Sequence, residues 1–204
     1  MELDALRVGI DIGGTHTDLI AVDRNGGIAA VAKTLTTPAD LTQGLMTVLE
    51  QAATPAAIQE IVHGTTVGMN AYLQRSLPRI ALITTEGFRD VLLFRRETKA
   101  EPYNLHWDKP APLARRRDIY TVRERMSARG DELEPLNHDD VVCAVDRIRQ
   151  DGIATIAVSL LHSYRNRSHE DEVARICQHM HPDATVVLSA NVLPEWREFE
   201  RTFN

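Results

Sequence analysis

The chain has 204 residues, of which 43% are hydrophobic and 25% charged, with a formal net charge of −6. This composition is ordinary for a globular protein, and the length allows one sizeable domain or two small lobes. The negative charge argues against a nucleic-acid partner, and no apolar run approaches the roughly 20 residues of a membrane span.

The cysteine content predicts a reducing compartment. Cys143 and Cys177 are too few for a disulfide framework. Both fall in helix-like patterns, which predicts that they are small core residues of a cytoplasmic protein. Residues 1–4 lack the basic region and the apolar core of a signal peptide.

A glycine turn between two apolar stretches is the most informative feature of the chain. The block reads Val8-Gly9-Ile10-Asp11-Ile12-Gly13-Gly14-Thr15-His16-Thr17-Asp18-Leu19-Ile20. This pattern predicts a strand, a tight turn and a second strand. Adjacent glycines let the backbone approach an anion closely, and Thr15 and Thr17 add hydroxyl donors. Asp11, at the end of the first strand, can hold a hydrated Mg²⁺ that bridges phosphate oxygens.

Neither of two common phosphate motifs accounts for this block. The chain has no G-x-x-x-x-G-K-[ST] sequence here, and the adjacent glycines do not fit G-x-G-x-x-G. The alternative is an ordinary hairpin turn with a solubilising aspartate. The combination of the acid, two glycines and two threonines between apolar strands favours phosphate binding.

Strands and helices alternate beyond this turn. The predicted strands of the N-terminal half cover residues 6–12, 17–23, 28–34, 60–63 and 80–84. A helix is predicted to begin with Thr37 as its cap and Pro38 at its first position. Its core-facing residues are Leu41, Leu45, Val48, Leu49 and Ala52. A shorter helix, capped by Thr65 or Thr66, is predicted to run to about Gln74.

The second half is predicted to contain further strand and helix pairs. The remaining predicted segments are a partly helical stretch over 88–99, a proline-rich loop over 101–117, a hairpin pairing 119–126 with 132–136, strands over 155–161 and 185–189, and a helix over 168–180. Asn137 caps another helix that Gly152 ends, with inward residues Val141, Val142, Val145 and Ile148. The alternation predicts an α/β fold with a mixed β-sheet flanked by helices.

A second candidate motif has a strand–turn–helix setting. It reads Val62-His63-Gly64-Thr65-Thr66-Val67-Gly68-Met69-Asn70-Ala71. Backbone N–H groups at a helix start attract anions, so the motif could form a second wall of a phosphate cleft. The alternative is a satisfied histidine beside a threonine that only caps a helix. The residues alone leave both interpretations, and the role of His63, open.

Other polar residues have simpler explanations. The guanidinium groups of Arg89, Arg95 and Arg96 can recognise phosphate or carboxylate, but a solvated helix face is the commoner origin of such a charged run. His162, His169 and Glu170 lack the H-E-x-x-H spacing of a zinc site. The segment 168–172 is instead interpreted as a charged helix start.

Three further blocks, together with the two motifs, carry a family resemblance. They cover residues 83–92, 157–164 followed by His169 and Glu170, and 197–202. In this order the five blocks resemble the N-terminal domain of the hydantoinase A / 5-oxoprolinase family, within the actin, sugar kinase and chaperone ATPase superfamily. The resemblance covers essentially the whole chain. His16 and Met69 stand where the family commonly has phenylalanine and threonine.

The resemblance implies a fold and an activity. The fold is an actin-like, ribonuclease H-like ATPase lobe covering residues 1–204 of a larger enzyme, with a loop and hairpin insertion near 100–136. The activity is ATP- and Mg²⁺-dependent hydrolysis of a cyclic amide after phosphorylation of a carbonyl or amide oxygen. The remaining domain or subunit of the enzyme is an implied partner, and the chain alone is expected to be inactive.

The resemblance also implies the site. The implied catalytic residues are Asp11, Thr65 and Thr66, with Asp11 as the metal ligand. The implied cofactor-binding residues are Gly13, Gly14, Thr15, Thr17, Asp18 and Gly64. Alternatives are a beta-subunit-type lobe of an ATP-dependent ketone carboxylase, a sugar-kinase-like enzyme, and a nucleotide-binding module without catalytic activity.

Overall fold

The computed structural model describes residues 5–52 and 55–203. The chain divides into two compact units, one up to Leu77 and one from Pro78, and each contains its own four-stranded sheet. Both sheets are flanked by helices, which confirms the predicted α/β class. Among the described residues, no helix has the length and apolar character needed to cross a membrane.

The first unit is a mixed sheet with a helix on one face. Its strands are β1 (Leu6–Ile12), β2 (His16–Val22), β3 (Ile28–Leu35) and β4 (Ile58–Thr65), and its helices are α1 (Leu41–Ala52) and α2 (Val67–Leu73). The sheet order is β3-β2-β1-β4. The first three strands are antiparallel, whereas β4 runs parallel to β1.

Alternation along the strands decides which face of this sheet is covered. Val8, Ile10 and Ile12 of β1 are buried with Leu19 of β2 and Val48 of α1. The residues between them point to the other face, because successive side chains of a strand alternate. The predicted core-facing side of α1 is confirmed, since its apolar residues pack on this cluster.

Two predicted boundaries in this unit were wrong. Helix α1 begins at Leu41 rather than at Pro38, because Asp40 accepts the Thr42 N–H at 3.0 Å and so caps the helix. Thr37 still contributes by accepting the Gly44 N–H at 3.1 Å. Strand β4 is longer than predicted and extends through Thr65, because its last residues pair with the end of β1.

The second unit is built on a parallel sheet. Its strands are β5 (Ile80–Thr85), β6 (Ile119–Val122), β7 (Arg125–Met126), β8 (Glu132–Glu134), β9 (Thr155–Ser159) and β10 (Thr185–Leu188). Its helices are α3 (Val91–Phe94), α4 (His138–Gln150), α5 (Ser168–Met180), α6 (Ser189–Val192) and α7 (Glu198–Phe203). The sheet order is β10-β9-β5-β6, and β7 pairs with β8 as a separate hairpin.

Both faces of the parallel sheet are covered, as is usual for such sheets. Helices α4 and α5 bury Val145 and Val173 against Ile83 of β5. On the opposite face, Leu82 of β5 packs with Leu92 of α3. The predicted cap of α4 is confirmed, since the Asn137 side chain accepts the Asp140 N–H at 3.0 Å.

Three details of the second unit differ from prediction. The predicted hairpin strand 119–126 is split, because its first four residues join the parallel sheet beside β5 and only Arg125–Met126 pairs with β8. Cys143 and Val142, both predicted to be buried, are exposed on α4, because the buried face of this helix is formed by Val141, Ala144, Val145 and Ile148. Cys177 is buried as predicted, and burial raises the pKa of its thiol to about 11.

Candidate functional site

Three residues separate β1 from β2, and only two of them form the tip of the turn. Ile12 pairs with Thr17, and the Gly13 N–H donates to the His16 carbonyl at 2.9 Å, which leaves Gly14 and Thr15 as the turn. Both turn residues are exposed. Among the described residues, neither of their N–H groups has a hydrogen-bond partner. Two backbone donors are therefore available to an external acceptor.

Two carbonyl groups at this turn are held by Thr36, the residue that follows β3. The Thr36 hydroxyl donates to the Gly13 carbonyl at 2.8 Å, and the Thr36 N–H donates to the Thr15 carbonyl at 2.9 Å. The Thr17 hydroxyl lies 3.2 Å from that of Thr36. Because the Gly13 and Thr15 carbonyls are engaged and the Gly14 and Thr15 N–H groups are not, the turn presents a partial positive charge to solvent.

The second motif abuts this turn. The Thr66 N–H and the Thr65 hydroxyl donate to the Ile12 carbonyl at 3.3 and 3.2 Å. The Asn70 amide donates to the Thr66 hydroxyl at 3.2 Å. A Cβ atom on Gly14 would lie 2.9 Å from the Asn70 amide nitrogen, so any side chain here would push the Asn70 amide aside. Neither Gly13 nor Gly14 has a positive φ angle.

Asp11 lies on the uncovered face of the sheet, next to a second carboxylate. It is exposed and directly opposite Asp18 of β2 and Gly64 of β4. Directly opposite residues carry Cβ atoms about 4.5–5.5 Å apart, and like charges there repel. Asp18 is balanced by Lys33 at 2.8 Å, whereas Asp11 has no ion pair among the described residues. A cation beside Asp11 would be favourable.

Gly64 leaves open space beside Asp11. A Cβ atom on Gly64 would meet no atom within 4 Å, and its φ angle is not positive. Neither packing nor backbone conformation within this unit therefore requires glycine at this strand position. Glycine inside a strand is weakening and often marks a place where a ligand approaches the backbone.

An apolar groove lies on the opposite face of the sheet. The cavity has a volume of about 650 Å³ and is lined by Ile12, Leu41, Thr42, Leu45, His63, Thr65, Val67 and Gly68. His63 pairs with Ile10 and Thr65 with Ile12, so their side chains share the face that α1 covers. His63 is therefore an exposed residue of the groove, on the other side of the sheet from Asp11.

The structure brings most of the predicted residues together. Near the turn lie Asp11, Gly13, Gly14, Thr15, Gly64, Thr65 and Thr66. Thr17 is fully buried, and its hydroxyl faces Thr36 rather than the exposed turn. The Asp18 carboxylate is engaged by Lys33. Among the described residues, no group of three or more histidine, cysteine or acidic side chains could hold a metal.

Arg95, Arg96 and His169 of the second unit have structural partners. Arg95 donates to the Pro110 carbonyl at 2.7 Å, and Arg96 pairs with Glu200. His169 lies between two carboxylates, 2.8 Å from Glu124 and 3.3 Å from Glu132. The predicted charged helix start is confirmed, since α5 begins at Ser168, but the His169 side chain is buried in a polar network.

Thr36 and Asn70 were missed as supports of the turn. A signal for Thr36 exists in the sequence. The predicted hairpin between β2 and β3 pairs His16 with Leu35, and one more step of the same register places Thr36 beside Thr15. Asn70 lies one helical turn after Thr66, which is the spacing at which side chains of a helix meet.

We expect Gly14→Ala to lower the affinity of the complete protein for a phosphate ligand at least about tenfold with little loss of stability. The added methyl group would displace the Asn70 amide, which is the end of a flexible side chain. Gly68→Ala is the matched control, since a Cβ there meets nothing within 4 Å. Calorimetric titration and thermal unfolding measure the two effects. Unchanged affinity would show that the turn is not a phosphate cradle.

Comparison with known proteins gives a consistent family. A profile described as the hydantoinase/oxoprolinase N-terminal region matches residues 7–181. The chain is 39% identical over 200 residues to an uncharacterized protein of Methanocaldococcus jannaschii, covering 96% of this chain and 29% of that protein. Most of that relative therefore has no counterpart in these 204 residues.

Two solved structures resemble the chain over nearly its whole length. Nucleotide-free acetone carboxylase, described as performing ATP-dependent acetone carboxylation, matches with a TM-score of 0.83 and 29% identity, over 98% of this chain and 31% of that one. The ATP-dependent caprolactamase of Pseudomonas jessenii matches with a TM-score of 0.81 and 30% identity, over 96% of this chain and 30% of that one.

Proposed function

The chain belongs to the hydantoinase/oxoprolinase N-terminal family, and we propose that it is the phosphate-binding lobe of an ATP-dependent enzyme that hydrolyses cyclic amides in the cytoplasm. The observation that carries this proposal is the β1–β2 turn, with two unengaged N–H groups beside an exposed carboxylate. The similarity of the chain to an ATP-dependent caprolactamase supports the use of ATP by the complete protein.

The residues of the turn would bind phosphate, and nearby carboxylates would bind the Mg²⁺ ion that accompanies it. The N–H groups of Gly14 and Thr15 are donors that the fold leaves free, so they would bind phosphoryl oxygens. Asp11, assisted by Asp18, fits Mg²⁺, which favours one or two carboxylates together with water and phosphate oxygens. When bound, Mg²⁺ would neutralise charge on the transferred phosphoryl group.

The two threonines of the second motif would have different roles. The Thr65 hydroxyl is committed, since it donates to the Ile12 carbonyl and accepts the Val67 N–H at 3.2 Å. It would position the turn. The Thr66 hydroxyl accepts from Asn70, so its own hydrogen stays available for a phosphoryl or substrate oxygen. Thr17, which is buried against Thr36, would support the turn from inside.

A ketone carboxylase lobe is the second candidate. It is favoured by the likeness to acetone carboxylase, which is as extensive as the likeness to caprolactamase. The same turn and acids would serve both activities if, as the resemblance implies, ATP phosphorylates an oxygen of the small molecule in each. The identity of the acceptor therefore decides between them.

Phosphate release from ATP by the complete protein tests the proposal. Hydantoin, 5-oxoproline and caprolactam form one substrate panel, and acetone and acetophenone with bicarbonate form the second. We expect stimulation by a cyclic amide, whereas stimulation only by ketones would favour the second candidate. Stimulation by hexoses, or ATP binding without turnover, would contradict both.

The 204-residue chain alone is a second arm of this experiment. We expect it to bind Mg-ATP at about millimolar affinity, or about −4 kcal/mol, without steady turnover. The reason is that one phosphate turn supplies only part of a nucleotide site, and a lone lobe does not exclude water from the reaction. Micromolar affinity with turnover would show that these residues form a complete enzyme.

A further inference from the structure

A polar cavity lies in the unit that begins at Pro78. It has a volume of about 320 Å³ and lies between helix α4 and β6, the outer strand of the parallel sheet. Three arginines line it: Arg89, Arg117 and Arg147. Such a volume is at the small end of ligand pockets, which suits a small molecule.

The charges around this cavity do not cancel. Asp140 is the acid in its lining, and it is engaged by Arg123, which donates to both of its carboxylate oxygens at 2.7 and 2.8 Å. Arg117 reaches Asp118 only at 3.8 Å, and both oxygens of that carboxylate already accept from Arg79.

Two of the arginines have donors to spare. Arg147 makes no ion pair among the described residues. Arg89 donates one terminal nitrogen to the Arg116 carbonyl at 3.1 Å, but its Nε atom is buried and has no hydrogen-bond partner in the described part of the chain. Buried polar atoms are rarely left unpaired, so this donor indicates a missing acceptor.

We propose that this cavity binds a small molecule through a phosphate group. Guanidinium groups match the geometry of phosphate oxygens and form charge-assisted hydrogen bonds with them. Arg89, Arg117 and Arg147 would supply the donors, and the excess positive charge would favour a dianion over chloride. The site uses none of the residues of the β1–β2 turn and does not depend on the proposed function.

Cys143 gives a direct readout of occupancy. Its thiol is exposed and belongs to the lining of this cavity, whereas Cys177 is buried. N-ethylmaleimide is uncharged, so its reaction with Cys143 on the 204-residue chain reports access to the cavity. We expect inorganic phosphate to slow this labelling while sodium chloride at matched ionic strength does not. For a dissociation constant of about 5 mM, 10 mM phosphate slows labelling about threefold.

Matched arginine variants separate a site from general charge effects. Arg147→Gln and Arg117→Gln should abolish the protection. Arg149→Gln should retain it, because Arg149 lies on the same helix but pairs with Asp146 at 3.0 Å and does not line the cavity. Circular dichroism verifies that each variant is folded. Where a glutamine variant misfolds, methionine, which is long and uncharged, takes its place.

A phosphate monoester distinguishes the two sources of the ligand. Stronger protection by glycerol phosphate than by inorganic phosphate is expected, since the cavity has room beyond the phosphate itself. Stronger protection by inorganic phosphate would assign the site to the free ion. Equal labelling with and without either compound, or equal protection in Arg147→Gln, would overturn the proposal.

Discussion

Asp11→Asn is expected to lower ATP-dependent turnover of the complete protein by at least about 100-fold, because a metal-positioning carboxylate typically contributes several kcal/mol in the transition state. Asparagine keeps the size of the side chain and one oxygen but removes the charge. Asp11 is exposed at the end of β1, so the substitution does not disturb the core.

The same substitution should leave folding intact or improve it slightly. Asp11 lies directly opposite Asp18, and removing one of two facing like charges relieves repulsion. Activity and stability are thus expected to change independently. A loss of activity that came from unfolding would instead lower both.

Glu60→Gln is the matched control for Asp11→Asn. Glu60 also belongs to this sheet, is exposed and pairs with Arg7 at 2.6 Å across β1 and β4. Losing an exposed ion pair costs about 0–1 kcal/mol and should not affect turnover. Steady-state phosphate release at saturating Mg-ATP measures both variants. Turnover of Asp11→Asn within threefold of the parent would remove Asp11 from the proposed metal site.

The turn between β1 and β2 could be predicted because it is local in sequence. A strand that ends in Asp11, two glycines and a polar strand start specify a hairpin from neighbouring residues alone. The role of Thr36 needed one further step, the register of the next hairpin. The contact between Gly14 and Asn70 could not be predicted, since it depends on the parallel pairing of β1 with β4.

The sequence does not show which residues are buried in helices and strands that mix polar and apolar residues. The predicted inward face of α4 contained Val142, but the buried residues Val141, Ala144, Val145 and Ile148 follow the helical spacing more closely. Cys143 falls outside that face. The division of 119–126 was also missed, because its apolar residues suit a hairpin strand and a sheet strand equally well.

The burial of acidic residues in the second unit could not be predicted, for a related reason. Glu170 looks like a charged residue of the first turn of α5, where acids are favoured by the helix dipole. It is fully buried, and its partners come from distant segments at the ends of β9 and β10. Only the fold shows that this carboxylate has donors around it.

Glu170→Ala should therefore lower the free energy of unfolding of the second unit by about 3–5 kcal/mol. The carboxylate accepts hydrogen bonds from the Leu160 N–H at 2.9 Å, the Ser189 hydroxyl at 2.6 Å and the Ala190 N–H at 3.0 Å. Removing it leaves these donors without their acceptor, and each unpaired buried group costs about 1–3 kcal/mol.

The positions of the two tryptophans allow unfolding of the second unit to be measured. Both tryptophans, Trp107 and Trp196, belong to the second unit, so fluorescence during urea denaturation reports its unfolding. Glu172→Ala is the control on the same helix, because Glu172 is partly exposed and pairs with His138 at 2.9 Å. Its loss should cost under about 1 kcal/mol. Similar midpoints for Glu170→Ala and Glu172→Ala would show that the buried carboxylate does not hold the ends of β9 and β10 together.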